Sequence, residues 1–161
     1  MRIWIAALGA RPRDAFADLA QMYLGRIASI VRTGVEAPLF HSEEAFWNAL
    51  ERERGRTAPF VVLLDEAGTQ MNSDEFAGWM GRQRDQGRQL LVFAIGPADG
   101  WSAESRARAG LLLSLGRMTM AHELARVVLC EQVYRSLTIL AGHPYHRGTS
   151  LRASSRDPGA A

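Results

Sequence analysis

The sequence predicts a single α/β domain in which a mostly parallel sheet is flanked by helices. Short apolar runs alternate with amphipathic stretches along almost the whole chain. Two of those runs, Phe60-Val61-Val62-Leu63-Leu64 and Leu90 to Ile95, are apolar throughout, as strands covered on both faces are. The length of 161 residues, with 47% hydrophobic and 22% charged, suits one domain able to bury a core without disulfides or metals.

The first strand is Arg2 to Leu8, stopped at Gly9. After Arg11-Pro12, the residues Phe16, Leu19, Tyr23, Ile27 and Ile30 recur at helical spacing. A weak strand is expected around Val35 to Phe40, followed by a short helix with Phe46, Trp47 and Leu50 on one face and Glu43, Glu44, Glu51 and Glu53 on the other. The strand from Phe60 ends at Asp65-Glu66-Ala67-Gly68. Asn72 or Ser73 can cap the next helix, whose inward residues are Phe76, Trp79 and Met80. The strand Leu90 to Ile95 runs into Gly96-Pro97-Ala98-Asp99-Gly100-Trp101. A short helix from Ser102 to about Gly110 and a weak strand near Leu112 lead into Leu115-Gly116-Arg117-Met118-Thr119-Met120. The last long helix spans about Ala121 to Ala141, closed by Gly142. Leu124, Val128 and Ile139, extended by Ala125, Leu129, Val133, Leu137 and Leu140, form one apolar side; Val127, Tyr134 and Ala141 lie roughly opposite. Such a helix needs cover on two sides, one from its own sheet and the other most simply from a second chain, with a neighbouring helix of the same chain as the alternative.

Composition narrows the functional classes. The single cysteine, Cys130, excludes an internal disulfide framework and a Cys-cluster zinc site. No apolar run approaches the roughly 18 residues of a membrane span. The opening residues turn charged too soon for a signal peptide, so a cytoplasmic location is expected. All 19 basic residues are arginine. Met1–Trp101 holds 11 Arg against 13 acidic residues, whereas Ser102–Ala161 holds 8 against 4. An arginine-rich C-terminal third suits an anionic partner such as RNA, although a plain coding bias toward arginine is an equal account.

Open parallel sheets bind ligands beyond the carboxyl ends of their strands. That directs attention to three loops: Leu64 to Gly68, Gly96 to Trp101, and Leu115 to Met120. The GxGxxG dinucleotide fingerprint is absent. The densest polar cluster is Gly142-His143-Pro144-Tyr145-His146-Arg147. It has no partner set for a metal, but it suits proton transfer or anion contact, because histidine titrates near pH 6.5. The plainer account is a turn whose polar groups cap a helix. His122 reads as a local hydrogen-bonder and Cys130 as inert core.

These segments together resemble the RlmH-type family of SPOUT methyltransferases, which methylate N3 of a pseudouridine in bacterial 23S rRNA. The resemblance runs from Met1 to Arg147. It rests on Leu64-Asp65-Glu66-Ala67-Gly68 (LDxxG), Ile95 to Gly100 (IGGxxG), Leu115 to Met120, Leu124-Ala125-Arg126-Val127 through Glu131 to Arg135, and Gly142 to Arg147 (NHPYHR). Each is weak alone; the ordered set is specific.

The resemblance implies a domain over residues 1–147 with a C-terminal trefoil knot, followed by a flexible tail over 148–161. It implies S-adenosyl-L-methionine held by backbone groups of Leu64, Gly96, Leu115, Gly116, Arg117, Met118, Thr119 and Met120. It implies a homodimer through the long C-terminal helix, 23S rRNA on the ribosome as partner, and neither metal nor membrane. Within GHPYHR, Tyr145 and Arg147 are the expected contacts at the target base, with His143 and His146 as proton carriers. Two departures stand out. Pro97 replaces the second glycine of IGGxxG, removing an N–H. The segment Phe40-His41-Ser42-Glu43-Glu44 is acidic where the family is lysine-rich, which shifts RNA docking to Arg52, Arg54 and Arg56 or to the C-terminal third; Arg152 and Arg156 in the tail either touch rRNA or do nothing. A non-catalytic knotted module that binds ribosomes or senses the cofactor is the competing expectation.

Overall fold

β1 (Arg2–Leu8) lies between β5 (Leu90–Ile95) on one side and β2 (Val35–Glu36) and β3 (Leu39–Phe40) on the other; β4 (Phe60–Gln70) and β6 (Leu111–Ser114) continue the sheet beyond β5. Every pairing is parallel. The computed structural model describes residues 1–9, 11 and 13–148, the side chains of Asp14, Arg147 and Gly148 excepted. The expected tail over 148–161, with Arg152 and Arg156, thus lies almost wholly outside the described residues.

Side-chain alternation in β1 divides the core. Ile3, Ile5 and Ala7 face α1 (Asp14–Ile30), α3 (Ser73–Asp85) and α5 (His122–Leu140); Trp4, Ala6 and Leu8 face α2 (Glu43–Arg52) and Trp101. The central strand β5 is buried at all six positions. The fourth helix, α4 (Ala103–Arg108), is clamped to α2 by Glu43, which accepts from Ser102 N–H at 3.0 Å, Ser102 Oγ–H at 2.6 Å and Ser105 Oγ–H. Ser105 in turn accepts from the buried Trp47 indole at 2.8 Å. Burial pushes the Glu43 carboxyl up, but the serine hydrogen bonds outweigh it and hold the group below the usual carboxylate value.

Three local differences from the sequence expectation have physical causes. The weak strand around Val35 to Phe40 is two short pieces separated by Ala37-Pro38, because Pro38 has no N–H for the ladder; its carbonyl still accepts from Ala7 at 3.1 Å. β4 does not stop at Asp65: Leu64 and Thr69 both register against Leu113, so residues 65–68 form an excursion from which the chain returns to the sheet. Gly68 permits that return, since a Cβ there would lie 2.6 Å from the Leu112 carbonyl carbon. Finally, α5 finds much of its second cover within the chain, because α1 and α3 flank it as it lies on the sheet. Val127, Leu129, Cys130 and Val133 are buried; Leu124 is left 41% exposed.

Candidate functional site

Three parallel strands end side by side, and their following loops must share the space beyond them. A cavity of about 590 Å³ opens there, a volume that suits a nucleoside-sized ligand. Leu64, Asp65 and Glu66 come from β4, Ile95 to Trp101 from β5, Leu115 to Met120 (Arg117 excepted) from the loop after β6, and His122 and Ala125 from the start of α5. The cofactor-loop residues Leu64, Gly96, Leu115, Gly116, Met118, Thr119 and Met120 are thus brought together; Arg117 is exposed and outside the lining.

The cradle is built tightly. Trp101 is 7% exposed, and its indole N–H donates to the Leu64 carbonyl at 3.0 Å, tying the second loop to the first. Gly96 lies directly under that ring, where a Cβ would lie 2.8 Å from Trp101 Cε2. Pro97 accepts from Gly100 N–H at 2.9 Å, closing a turn whose last residue has φ +85°. In the third loop Gly116 sits at φ +150°, and Ser114 Oγ both donates to its carbonyl at 2.9 Å and accepts from its N–H at 3.2 Å. Asp65, with a side chain 3% exposed, pairs with Arg106 at 2.7 Å and accepts from Ala67 N–H at 2.9 Å, fixing the excursion of β4 to α4. Met118 is 87% exposed at the rim.

The C-terminal cluster lies elsewhere. After Gly142 at φ +69°, a 3-10 turn over Pro144–Gly148 folds back onto α5. Tyr145 Oη–H donates to Glu131 Oε1 at 3.2 Å, and its ring packs edge-on against Tyr134 at 4.7 Å, which in turn lies 6.2 Å from Tyr23. Glu131 also holds Arg135 at 2.6 Å, whose guanidinium lies 5.0 Å from the Tyr145 ring centre. Burial, with hydrogen bonding to Tyr23 and the charge of Glu131, pushes the Tyr145 phenol up to about 12. His143 Nδ1 accepts from Tyr145 N–H at 3.2 Å. His146 Nε2 faces Asp74 Oδ1 at 3.4 Å, while its Nδ1 is buried without a partner. The Arg147 side chain falls outside the described residues. None of His143, Tyr145 and His146 lines the cavity. Glu131 is nine residues beyond His122 on α5, about 13 Å along the helix axis.

A family model described as "Predicted SPOUT methyltransferase" matches residues 1–146. This chain belongs to the SPOUT methyltransferase family. Among curated relatives, the ribosomal RNA large subunit methyltransferase H of Koribacter versatilis is 49% identical over 149 residues, covering 92% of this chain and 99% of its own. The proteins of the same name from Allorhizobium ampelinum and Sinorhizobium fredii are 41% and 42% identical, each over 91% of this chain and 99% of theirs. A solved SpoU methyltransferase, AviRb from Streptomyces viridochromogenes in complex with AdoMet, aligns with TM-score 0.49 and 12% identity, over 89% of this chain and 58% of that one.

Several residues of this SPOUT chain gain a place that their sequence context did not announce. Arg106 and Asp65 form an ion pair at the cavity only because α4 folds back beside β4. His122 lines the cavity with its Nε2 buried and unpartnered. Glu131 and Arg135 were separable in sequence only by their i,i+4 spacing, which marks a helix-face pair. Conversely Arg52, Arg54 and Arg56 are exposed near the amino ends of β4 and β5, where Arg56 N–H donates to Gln89 Oε1 at 3.0 Å, the sheet edge opposite the cavity. Among the described residues no helix is long and apolar enough to cross a membrane, and no group of three or more His, Cys, Asp or Glu could hold a metal.

Proposed function

We propose that this chain is an S-adenosyl-L-methionine-dependent methyltransferase that modifies N3 of a pseudouridine in 23S rRNA, working on ribosomal particles as a homodimer with a trefoil-knotted C-terminal third. The convergence of three strand-end loops on one cavity carries the proposal. The full-length relatives named as large-subunit rRNA methyltransferases supply the substrate class. The glycine cradle fits the cofactor: Gly116, with open space where a Cβ would sit, leaves room for backbone contact, Gly96 lets Trp101 close over its loop, and Leu64, Leu115, Met118, Thr119 and Met120 wall the same space. Bound there, the sulfonium supplies an electrophilic methyl group.

The chain must then orient the acceptor and remove one proton, because N3 lies between two carbonyls and is nucleophilic mainly as the anion. Tyr145 keeps its proton up to about pH 12, so it is not the base; its one O–H, held by Glu131 in the free chain, turns to donate a hydrogen bond at the target base in this reading. Arg147 stabilises the developing anion, and His143 or His146 takes the proton, Asp74 orienting His146 through Nε2. Since His143, Tyr145 and His146 do not line the cavity of their own chain, each active site in this reading joins the loops of one protomer to the C-terminal segment of the other. Leu124 on α5 and Leu19 and Met22 on the adjoining α1, each about 40% exposed, supply apolar surface for that dimer. Exposed Arg106 and Arg117, near the cavity, supply salt-sensitive contact with RNA.

The test is incubation of the purified chain and S-adenosylmethionine with ribosomes from a strain lacking the modification, followed by nucleoside mass spectrometry of 23S rRNA. One added methyl on a pseudouridine is the expected result. If the chain binds the cofactor yet leaves subunits and whole ribosomes unmethylated, the proposal fails in favour of a non-catalytic module.

A further inference from the structure

The edge of the sheet opposite the cavity gathers the chain's unbalanced positive charge. Because every pairing is parallel, all the strands begin at that edge and the helices between them end there. Thr33 Oγ–H donates to the Met1 carbonyl at 2.7 Å, while Gln89 accepts from Arg2 N–H at 2.8 Å and from Arg56 N–H at 3.0 Å, so the loops close on one another. Nine of the 19 arginines stand here against four acidic residues, which leaves ten against thirteen for the rest of the chain. Arg2 is held by Glu36 and Glu53, Arg84 by Asp85, and Arg54 and Arg108 share Glu51 at 3.2 and 3.7 Å. Arg32, Arg52, Arg56, Arg82 and Arg88 form no ion pair among the described residues, and all of them but Arg88 are exposed. Helix C-termini attract arginine by themselves. At about half a negative charge each, the five that end here offset only about half of the surplus.

We infer that this edge docks a second stretch of rRNA by its phosphate backbone, away from the nucleotide being modified. The inference rests on the rRNA reading and adds a contact that reading does not use. β5 runs its six residues between the edge and the cavity, about 20 Å, too far for the target nucleotide's own phosphates. Arginine suits the task, since its planar fork donates two N–H bonds to two phosphate oxygens. A cavity of about 300 Å³ between α2, α4 and the start of β4 is rimmed by Arg54 and Arg108 and walled by Trp47 and Phe60. With one carboxylate between two guanidiniums, one positive charge there is left to turn toward a phosphate. A membrane or a protein partner would call for apolar anchors. The large apolar residues exposed among the described ones, Leu19, Met22, Met118 and Leu124, do not stand at this edge.

Sedimentation of the full chain with ribosomes that lack the modification, repeated over a range of salt, tests it. The combined variant Arg52→Gln, Arg56→Gln and Arg82→Gln should bind at least about tenfold more weakly near physiological salt, and its plot of log affinity against log salt should be shallower by about 2. The same positions changed to lysine should keep the slope, because the charge is kept. Affinity for S-adenosylmethionine, read by calorimetry, should match the intact chain in both variants. Unchanged ribosome affinity and slope in the glutamine variant overturn the docking edge, whether or not the intact chain methylates rRNA. Loss of binding to phosphatidylserine vesicles with ribosome binding unchanged assigns the edge to a membrane and overturns it as well. If the glutamine variant does not fold, phenylglyoxal footprinting of the intact chain decides. Protection of Arg52, Arg56 and Arg82 on ribosomes supports the edge, and reactivity equal to that of the free chain overturns it.

Discussion

Gly96 tolerates no side chain because its neighbour cannot move: Trp101 is almost fully buried and committed to the Leu64 carbonyl. Gly96→Ala should therefore cost about 1–3 kcal/mol of stability, as other overpacked sites do, and lower the melting temperature by several degrees in a calorimetric scan. It should also weaken cofactor binding, since the displaced ring forms the cradle. Tyr145 gives a pH signature. Its folded-state value is raised from the ordinary 10 to about 12. Its contribution to stability is thus complete below pH 10 and drains away as pH climbs through 10 toward 12, where the unfolded chain loses the proton first. Chemical denaturation across that range should show the decline in the wild type and a flatter profile in Tyr145→Phe. Cys130 is fully buried, and burial pushes its thiol up to about 11. At neutral pH it should resist thiol reagents until the chain is unfolded.

At the level of elements, polar end-groups decide where helices start and how they attach. Asn72 forms a reciprocal capping box with Glu75, accepting from its N–H at 2.9 Å while Glu75 accepts from Asn72 N–H at 2.8 Å. Asn72→Ala should cost about 1 kcal/mol, read as a drop in melting temperature of a few degrees. Glu43 joins α2 to α4 through both serines, and its carboxyl is held below the usual value. The stability it adds is present above the ordinary carboxylate range and is lost as pH falls through and below it. Glu43→Gln should accordingly flatten the acid limb of the stability curve.

For the whole molecule, the proposed homodimer, in which the cavity loops and the C-terminal cluster come from different chains, would make assembly part of catalysis. Gly116→Val strains a backbone at φ +150° and should abolish the cavity, whereas Arg147→Ala should remove the target-side contact. Each variant alone is expected to be inactive. Mixed and allowed to exchange partners, they should regain about a quarter of the wild-type methylation rate, because half the dimers are hybrids with one intact site of two. A mixture that stays inactive would mean that each site is built from a single chain. Leu124→Arg should shift the chain toward monomer in sedimentation velocity and reduce methylation with it.

Much of this protein was legible in its residues because local chemistry left little choice. Fully apolar runs such as Leu90–Ile95 have only a doubly covered strand to become, and Phe46, Trp47 and Leu50 at helical spacing have one face to bury. The three cavity loops were legible too, since ligands gather at the carboxyl ends of parallel strands. Pro38 and Gly68 carried subtler marks: a missing N–H splits the second strand, and a missing Cβ lets the chain rejoin β4 after its excursion. Tertiary structure alone decided which charges meet. Asp65 and Arg106 are 41 positions apart, and Asp74 and His146 are 72 apart. Backbone preference acts between near neighbours along the chain, whereas ion pairing and desolvation depend on distances that exist only once the helices have packed on the sheet.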